Sequence, residues 1–135
     1  MNHYVFDSYA LIAFFRKEKS WELIQELLIK MSNNEITGWI TTVNVGEIYY
    51  MISRKSNTEQ ADLAIDAVLH FPLNLVDADL KLTLAAAKLK AAYRLSYADA
   101  FAAALTVIKK AVLLTGDNEF LNLKDEKDFE VQFIA

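Results

Sequence analysis

The stretch His3-Tyr4-Val5-Phe6-Asp7-Ser8-Tyr9-Ala10-Leu11-Ile12-Ala13-Phe14-Phe15-Arg16-Lys17, "HYVFDSYALIAFFRK", changes character at a single carboxylate. Before Asp7 stands a short apolar run of strand type. After it comes an apolar run that ends in basic residues, as helices do where cations meet their C-terminal carbonyls. A strand that passes directly into a helix is the start of a βα unit, and the rest of the chain repeats the alternation.

Trp21, Ile24, Leu28 and Met31 share one face of a helix over Ser20–Ser32. The run "WITT" (39–42) reads as a strand, and "VNVGEIYYMISRK" (43–55) as a helix ending in Arg54 and Lys55. Thr58 to His70 is a helix stopped by Pro72, because proline disfavours helical geometry in the residue before it. A strand "LNLV" (73–76), helices over Ala78–Tyr93 and Ser96–Lys110, a strand "AVLLT" (111–115), a short helical turn "DNEFLNL" (117–123) and a strand "FEVQFI" (129–134) complete the order. Such alternation predicts an α/β fold with a central parallel sheet covered by helices on both faces. With three glycines and one proline there is no linker composition, so residues 1–135 are expected to form a single domain.

The 135 residues are 54% hydrophobic, which predicts wide buried helix faces. A formal charge of −4 argues against broad adhesion to nucleic acid or anionic membrane, while leaving room for local basic patches. The absence of cysteine excludes disulfides, thiolate metal sites and a cysteine nucleophile. The N-terminus lacks a basic region and carries Asp7 within its apolar run, unlike a signal peptide. Lys88, Lys90 and Arg94 interrupt the longest candidate membrane span. A cytoplasmic protein without a membrane partner is the expectation.

In open parallel sheets, sites form outside the carboxyl ends of the strands. Asp7 and Asp117 fall at the carboxyl ends of the first and fourth strands. Glu47 lies one turn into the helix after the second strand, with Asn44 as its expected N-cap, and Asp99 lies in the first turn of "LSYADAFAAAL" (95–105). Each acid has a structural explanation of its own: Asp7 and Asp117 as caps, Glu47 as the partner of Asn44, Asp99 as the acidic half of a capping box with Ser96. A cap contributes about 1 kcal/mol. Two carboxylates about 5 Å apart repel by about 3 kcal/mol at an effective dielectric near 20, so convergence of the four would exceed what capping explains. None has a lysine or arginine within four positions, and hard oxygen ligands suit Mg²⁺ or Mn²⁺. Such ions activate water and stabilise phosphoryl charge, which points to phosphodiester hydrolysis.

The segments "VFDSYALIAFF", "TTVNVGEIYYMI", "LSYADAFAAALT" and "LLTGDNEFLNL" resemble, in order and spacing, the four motifs of PIN-domain ribonucleases, and the chain length is similar to that of VapC toxins of toxin–antitoxin pairs. The resemblance implies a three-layer α/β/α domain and Mg²⁺- or Mn²⁺-dependent endonucleolytic cleavage of RNA. It also implies inhibition by a small antitoxin protein whose tail fills the active-site groove. Asp7, Glu47, Asp99 and Asp117 match the family's acidic quartet, as catalytic residues and metal ligands; which one serves as general base stays open. Ser8 and Thr115 match supporting polar positions, and Asn118 stands where some members carry another acid. The expected partners are RNA, the antitoxin and a second copy of the chain in a homodimer.

Other classes fit less well. A haloacid-dehalogenase-type phosphohydrolase wants a second aspartate where Tyr9 stands, and a receiver domain wants paired acids near its first strand. A PIN-like module that binds nucleic acid or protein without hydrolysis would not need all four acids. Arg16, Lys17 and Lys19, and Arg54 with Lys55, read as solvated helix ends or as contacts to RNA phosphates, with Lys88, Lys90 and Arg94 as similar candidates. Phe14, Phe15, Tyr49 and Tyr50 read as core or as lining for a dimer or antitoxin surface. His3 and His70 read as a surface residue and a helix-end residue.

Overall fold

The computed structural model describes residues 2–134. Strand β1 (His3–Phe6) leads into α1 (Ser8–Phe15) and α2 (Trp21–Ser32). Strand β2 (Thr37–Thr41) is followed by α3 (Thr42–Lys55) and α4 (Thr58–His70), and β3 (Asn74–Val76) by α5 (Leu80–Ala92) and α6 (Tyr97–Lys109). Strand β4 (Val112–Thr115), a 3₁₀ segment (Asn118–Leu123) and β5 (Glu130–Phe133) close the chain.

All four strand pairings are parallel, and the order across the sheet is β3-β2-β1-β4-β5. The chain runs outward from β1 to β3 on one side, then crosses to β4 and β5 on the other. The strand order therefore reverses between β1 and β4, where a crevice opens at the carboxyl edge.

Alternation along the central strands separates two cores. Val5 and Leu113 face the layer of α5 and α6, where they meet Leu82, Phe101 and Leu105. Phe6 and Leu114 face the opposite layer, where they meet Leu11, Ile24 and Ile48. β1 and β4 are thus apolar on both faces, as a doubly covered parallel sheet requires. Gly38 in β2 leaves room for the Met31 thioether and Leu73, which any Cβ at that position would overlap. No helix of the described residues is long and apolar enough to cross a membrane.

The element order agrees with the sequence reading, and the boundaries shift where a cap decides them. β2 ends at Thr41, one residue early, because the Thr41 hydroxyl accepts from the Asn44 N–H at 3.0 Å and so starts α3. α5 starts at Leu80 rather than Ala78, because the Asp79 carboxylate accepts from the Leu82 N–H at 2.9 Å.

Leu113 is fully buried in a central strand. Leu113→Ala is expected to lower unfolding stability by about 2–5 kcal/mol in urea denaturation, through lost burial and the cavity left behind.

Candidate active site

Because every strand runs the same way, α1, α3 and the 3₁₀ segment all begin at the carboxyl edge, and each start is fixed by a side-chain cap. Asp7 caps α1, its Oδ1 accepting from the Ala10 N–H at 2.9 Å. Asp117 caps the 3₁₀ segment, accepting from the Glu119 N–H at 2.9 Å. Ser96 caps α6, its hydroxyl accepting from the Asp99 N–H at 3.1 Å.

These caps bring the four sequence-predicted acids to one cleft of about 220 Å³, whose lining includes Asp7, Glu47, Asp99, Asp117, Ser8 and Glu119. Asp7 and Asp99 are buried, with 1% and 7% of their surface exposed, and Glu47 and Asp117 are half-buried. No basic residue lines the cleft among the described residues. The capping box at Ser96 is half made: the Asp99 N–H uses the serine, but no described bond returns from the Ser96 N–H to the Asp99 carboxylate. That carboxylate lines the cleft instead.

Hydroxyls tie the acids together. The Ser8 hydroxyl donates to the Glu47 carboxylate. Thr115 is hydrogen-bonded to Asp7, and its hydroxyl oxygen also accepts from the Asp117 N–H at 2.9 Å, so it links the first and last acids. Asn44 is not the helix cap expected of it. The Thr41 hydroxyl takes that role and also donates to Asn44 Oδ1 at 2.6 Å. The fully buried Asn44 amide donates to the Ala98 carbonyl at 3.3 Å, bracing the helix of Glu47 against the helix of Asp99. Glu47 lies in more open surroundings than its apolar sequence neighbours suggest, since Tyr49 and Tyr50 are exposed.

Glu119 is the cleft acid that sequence reasoning missed. One carboxylate oxygen from each of Asp99, Asp117 and Glu119 lies within 4.8 Å of the others. Asn118 is exposed and does not line the cleft. The available signal was Asp117 itself: as the cap of a tight turn it draws in the N–H of the second residue beyond it.

The basic candidates lie elsewhere. Arg16 and Lys55 line an adjoining groove between α1, α3 and α4, which shares Met51 with the cleft. The Lys17 ammonium sits over the Trp21 ring at 5.6 Å, and the Arg54 guanidinium over the Tyr50 ring at 5.3 Å. Lys90 donates to the Leu95 carbonyl at 2.8 Å, bracing the turn into α6. His70 contacts the Asp66 carbonyl and His3 pairs with the Trp39 ring, neither of them at the cleft.

Electrostatics follow from this placement. Burial pushes the Asp99 carboxyl up to about 8, with further upward pressure from Asp117, Asp7 and Glu47. Burial likewise raises Asp7 to about 7, against hydrogen bonds from Thr115 and the Ala10 N–H that pull it down. Carboxylate pairs at 4.8 Å repel by about 3 kcal/mol at an effective dielectric near 20. An all-oxygen donor set that is partly desolvated, rich in charge and lacking any protein cation fits a hard divalent ion.

A family model described as "PIN domain" matches residues 4–126. The chain belongs to the PIN domain family. No curated protein sequence matches it. Among solved structures, this PIN domain is similar to VapBC2 from Rickettsia felis bound to a promoter DNA fragment, at 19% identity and TM-score 0.75, covering 98% of this chain and 99% of that one. It is similar to DNA-bound VapBC from Salmonella typhimurium at 13% identity and TM-score 0.75, covering both chains completely. It is also similar to VapC20 from Mycobacterium tuberculosis, described as a Sarcin-Ricin loop cleaving toxin, at 13% identity and TM-score 0.72, covering 90% and 95% of the two chains.

Because Asp7 and Asp99 hold protons more tightly folded than unfolded, the unfolded chain binds fewer protons between about pH 4 and pH 8. The metal-free protein is therefore expected to lose stability as pH rises through that window. Calorimetry in EDTA should show Asp99→Asn melting above the wild type near pH 8, with the gap narrowing as pH falls toward about 4.

Proposed function

We propose that this PIN domain is an endoribonuclease that hydrolyses RNA phosphodiester bonds with Mg²⁺ or Mn²⁺, acting as the toxin of a type II toxin–antitoxin pair in the cytoplasm. The observation that carries the proposal is the cleft at the β1–β4 crossing, where four predicted acids and Glu119 meet without a cation from the described residues. The family match, and the likeness to a toxin described as cleaving the Sarcin-Ricin loop, favour RNA as substrate.

In this mechanism Asp7, Glu47, Asp99 and Asp117 would hold the ion or ions, and Glu119, one of whose oxygens lies within 4.8 Å of oxygens of Asp99 and Asp117, would be a further ligand. When bound, a divalent ion lowers the pKa of water and stabilises charge on the phosphoryl oxygens. The chain's own residues set the geometry. Thr115 orients Asp7 and fixes the backbone of Asp117, Ser8 orients Glu47, and Asn44 holds α3 to the start of α6. One carboxylate receives the proton from the attacking water.

Besides the acidic cleft, which the antitoxin's tail would fill, a second proposed antitoxin contact is the groove of about 380 Å³ lined by Ile12, Phe15, Ile52 and Leu63 with Arg16 and Lys55 beside them. Apolar side chains next to two cations match an amphipathic helix with acidic flanks. The similar toxin–antitoxin structures favour an antitoxin as its occupant. A homodimer is proposed as the working assembly.

Two outcomes test these assignments. Against a panel of defined RNAs, cleavage is expected with Mg²⁺ or Mn²⁺ and to vanish with EDTA, and Asp99→Asn should lower the rate by on the order of 100-fold or more while remaining folded. Metal-independent cleavage, or full activity in Asp99→Asn, would overturn the mechanism. Leu63 is 64% exposed, so Leu63→Asp should leave cleavage intact while weakening antitoxin binding by about ten-fold or more in calorimetric titration.

A further inference from the structure

Among the described residues, five carboxylates and no basic residue line the cleft, so these side chains offer an RNA strand no direct phosphate attraction. Holding a nucleotide in register there calls for a contact to something other than phosphate. Tyr9 supplies one. It lies in the first turn of α1, two residues beyond Asp7, lines the cleft and is 43% exposed.

The ring is seated rather than free. It packs against the backbone of Gly116, the residue between Thr115 and Asp117, and a Cβ at Gly116 would overlap ring carbons of Tyr9. Gly116 has no positive φ, so its backbone conformation does not demand glycine; the close approach of the ring does. The aromatic side chain is therefore placed by the two segments that carry Asp7 and Asp117. Its hydroxyl makes no hydrogen bond among the described residues, whereas those of Tyr49, Tyr50 and Tyr93 donate to Asp62, Glu47 and Glu126. Of the other exposed rings nearby, Tyr97 pairs with Phe101 at 5.1 Å and Tyr50 lies under Arg54. Neither lines the cleft.

We propose that Tyr9 is the stacking platform for the base of an unpaired nucleotide beside the scissile phosphate, so that this site takes single-stranded or splayed RNA. The inference rests on the ribonuclease reading. Stacking on an aromatic side chain is tolerant of base identity and suits bases that have left a duplex.

The test is fluorescence anisotropy with a short fluorescein-labelled single-stranded RNA, in Ca²⁺ with the oligonucleotide shown intact on a gel, and with versions carrying one abasic nucleotide at each position in turn. Tyr9→Leu should weaken binding by about 5- to 100-fold and Tyr9→Phe should retain it. One abasic position should cost the wild type a comparable factor and cost Tyr9→Leu nothing. Gly116→Ala, which displaces the ring, should weaken the wild type and leave Tyr9→Leu unchanged. If Tyr9→Leu binds like the wild type, or keeps the full abasic penalty, the platform lies elsewhere and the proposal fails while the ribonuclease reading stands. If wild-type protein binds none of these RNAs, the ribonuclease reading fails and the proposal with it.

Discussion

Mutual repulsion among carboxylates at the carboxyl edge of the sheet is the constraint around which the rest of this structure is arranged. Asp7 and Asp99 are almost fully buried, Asp117 and Glu119 reach within 4.8 Å of Asp99, and no described lysine, arginine or histidine lines the cleft. An isolated buried charge is costly, and groups in this position gain by taking up protons or binding an ion. The fold accepts that cost because the opposite requirement, a well-packed interior, is met a few ångströms away by Val5, Phe6, Leu113 and Leu114. Rigid apolar strands hold the acids at positions they would not take up on a flexible loop.

Much of this was legible in the chain. The switch from "HYVF" to "SYALIAFFRK" at Asp7 announces a βα unit, and the repetition of that pattern implies parallel strands with helices on both faces. Once the sheet is parallel, Asp7 and Asp117 share an edge by geometry, and Glu47 and Asp99 follow because each lies within about a turn of a helix start. What could not be read were contacts between segments distant in sequence. Asn44 looked like a cap because caps are local; its bond to the Ala98 carbonyl spans 54 residues. Glu119 was hidden by the turn at Asp117, whose side-chain oxygen accepts from the N–H of the second residue beyond it while its backbone carbonyl accepts from the third, Phe120.

The basic residues illustrate the same point from the other side. Arg16 closes α1, while Arg54 and Lys55 lie in the last turn of α3, and both helices start at the acidic edge. At 1.5 Å per residue their backbone positions lie about 12 Å and about 20 Å along the helix axes from those starts. The backbones of basic residues that complement a helix C-terminus are thereby set back from a cleft that gathers helix N-termini. Arg54 nonetheless stays linked to the cleft: its guanidinium lies over the Tyr50 ring at 5.3 Å, and the Tyr50 hydroxyl donates to the cleft acid Glu47 at 3.5 Å. Arg16 and Lys55 are already placed beside an apolar groove suited to another protein.

Helix N-termini explain why the acids are tolerable at all. Each start contributes partial positive charge, stabilising a nearby carboxylate by about 0.3–1 kcal/mol and up to about 2 kcal/mol when partly buried. The starts of α1, α3 and α6 therefore return a few kcal/mol to the cleft. Each carboxylate pair within 5 Å opposes them with about 3 kcal/mol, and Asp99, Asp117 and Glu119 alone make three such pairs. The dipoles reduce the repulsion without removing it. A parallel sheet is what brings three helix starts to one edge, and the negative charge that remains there suits a small, multiply charged cation. Binding a cation would offset both the burial of Asp7 and Asp99, which is the main cause of their raised pKa values, and the repulsion from their acidic neighbours that adds to it.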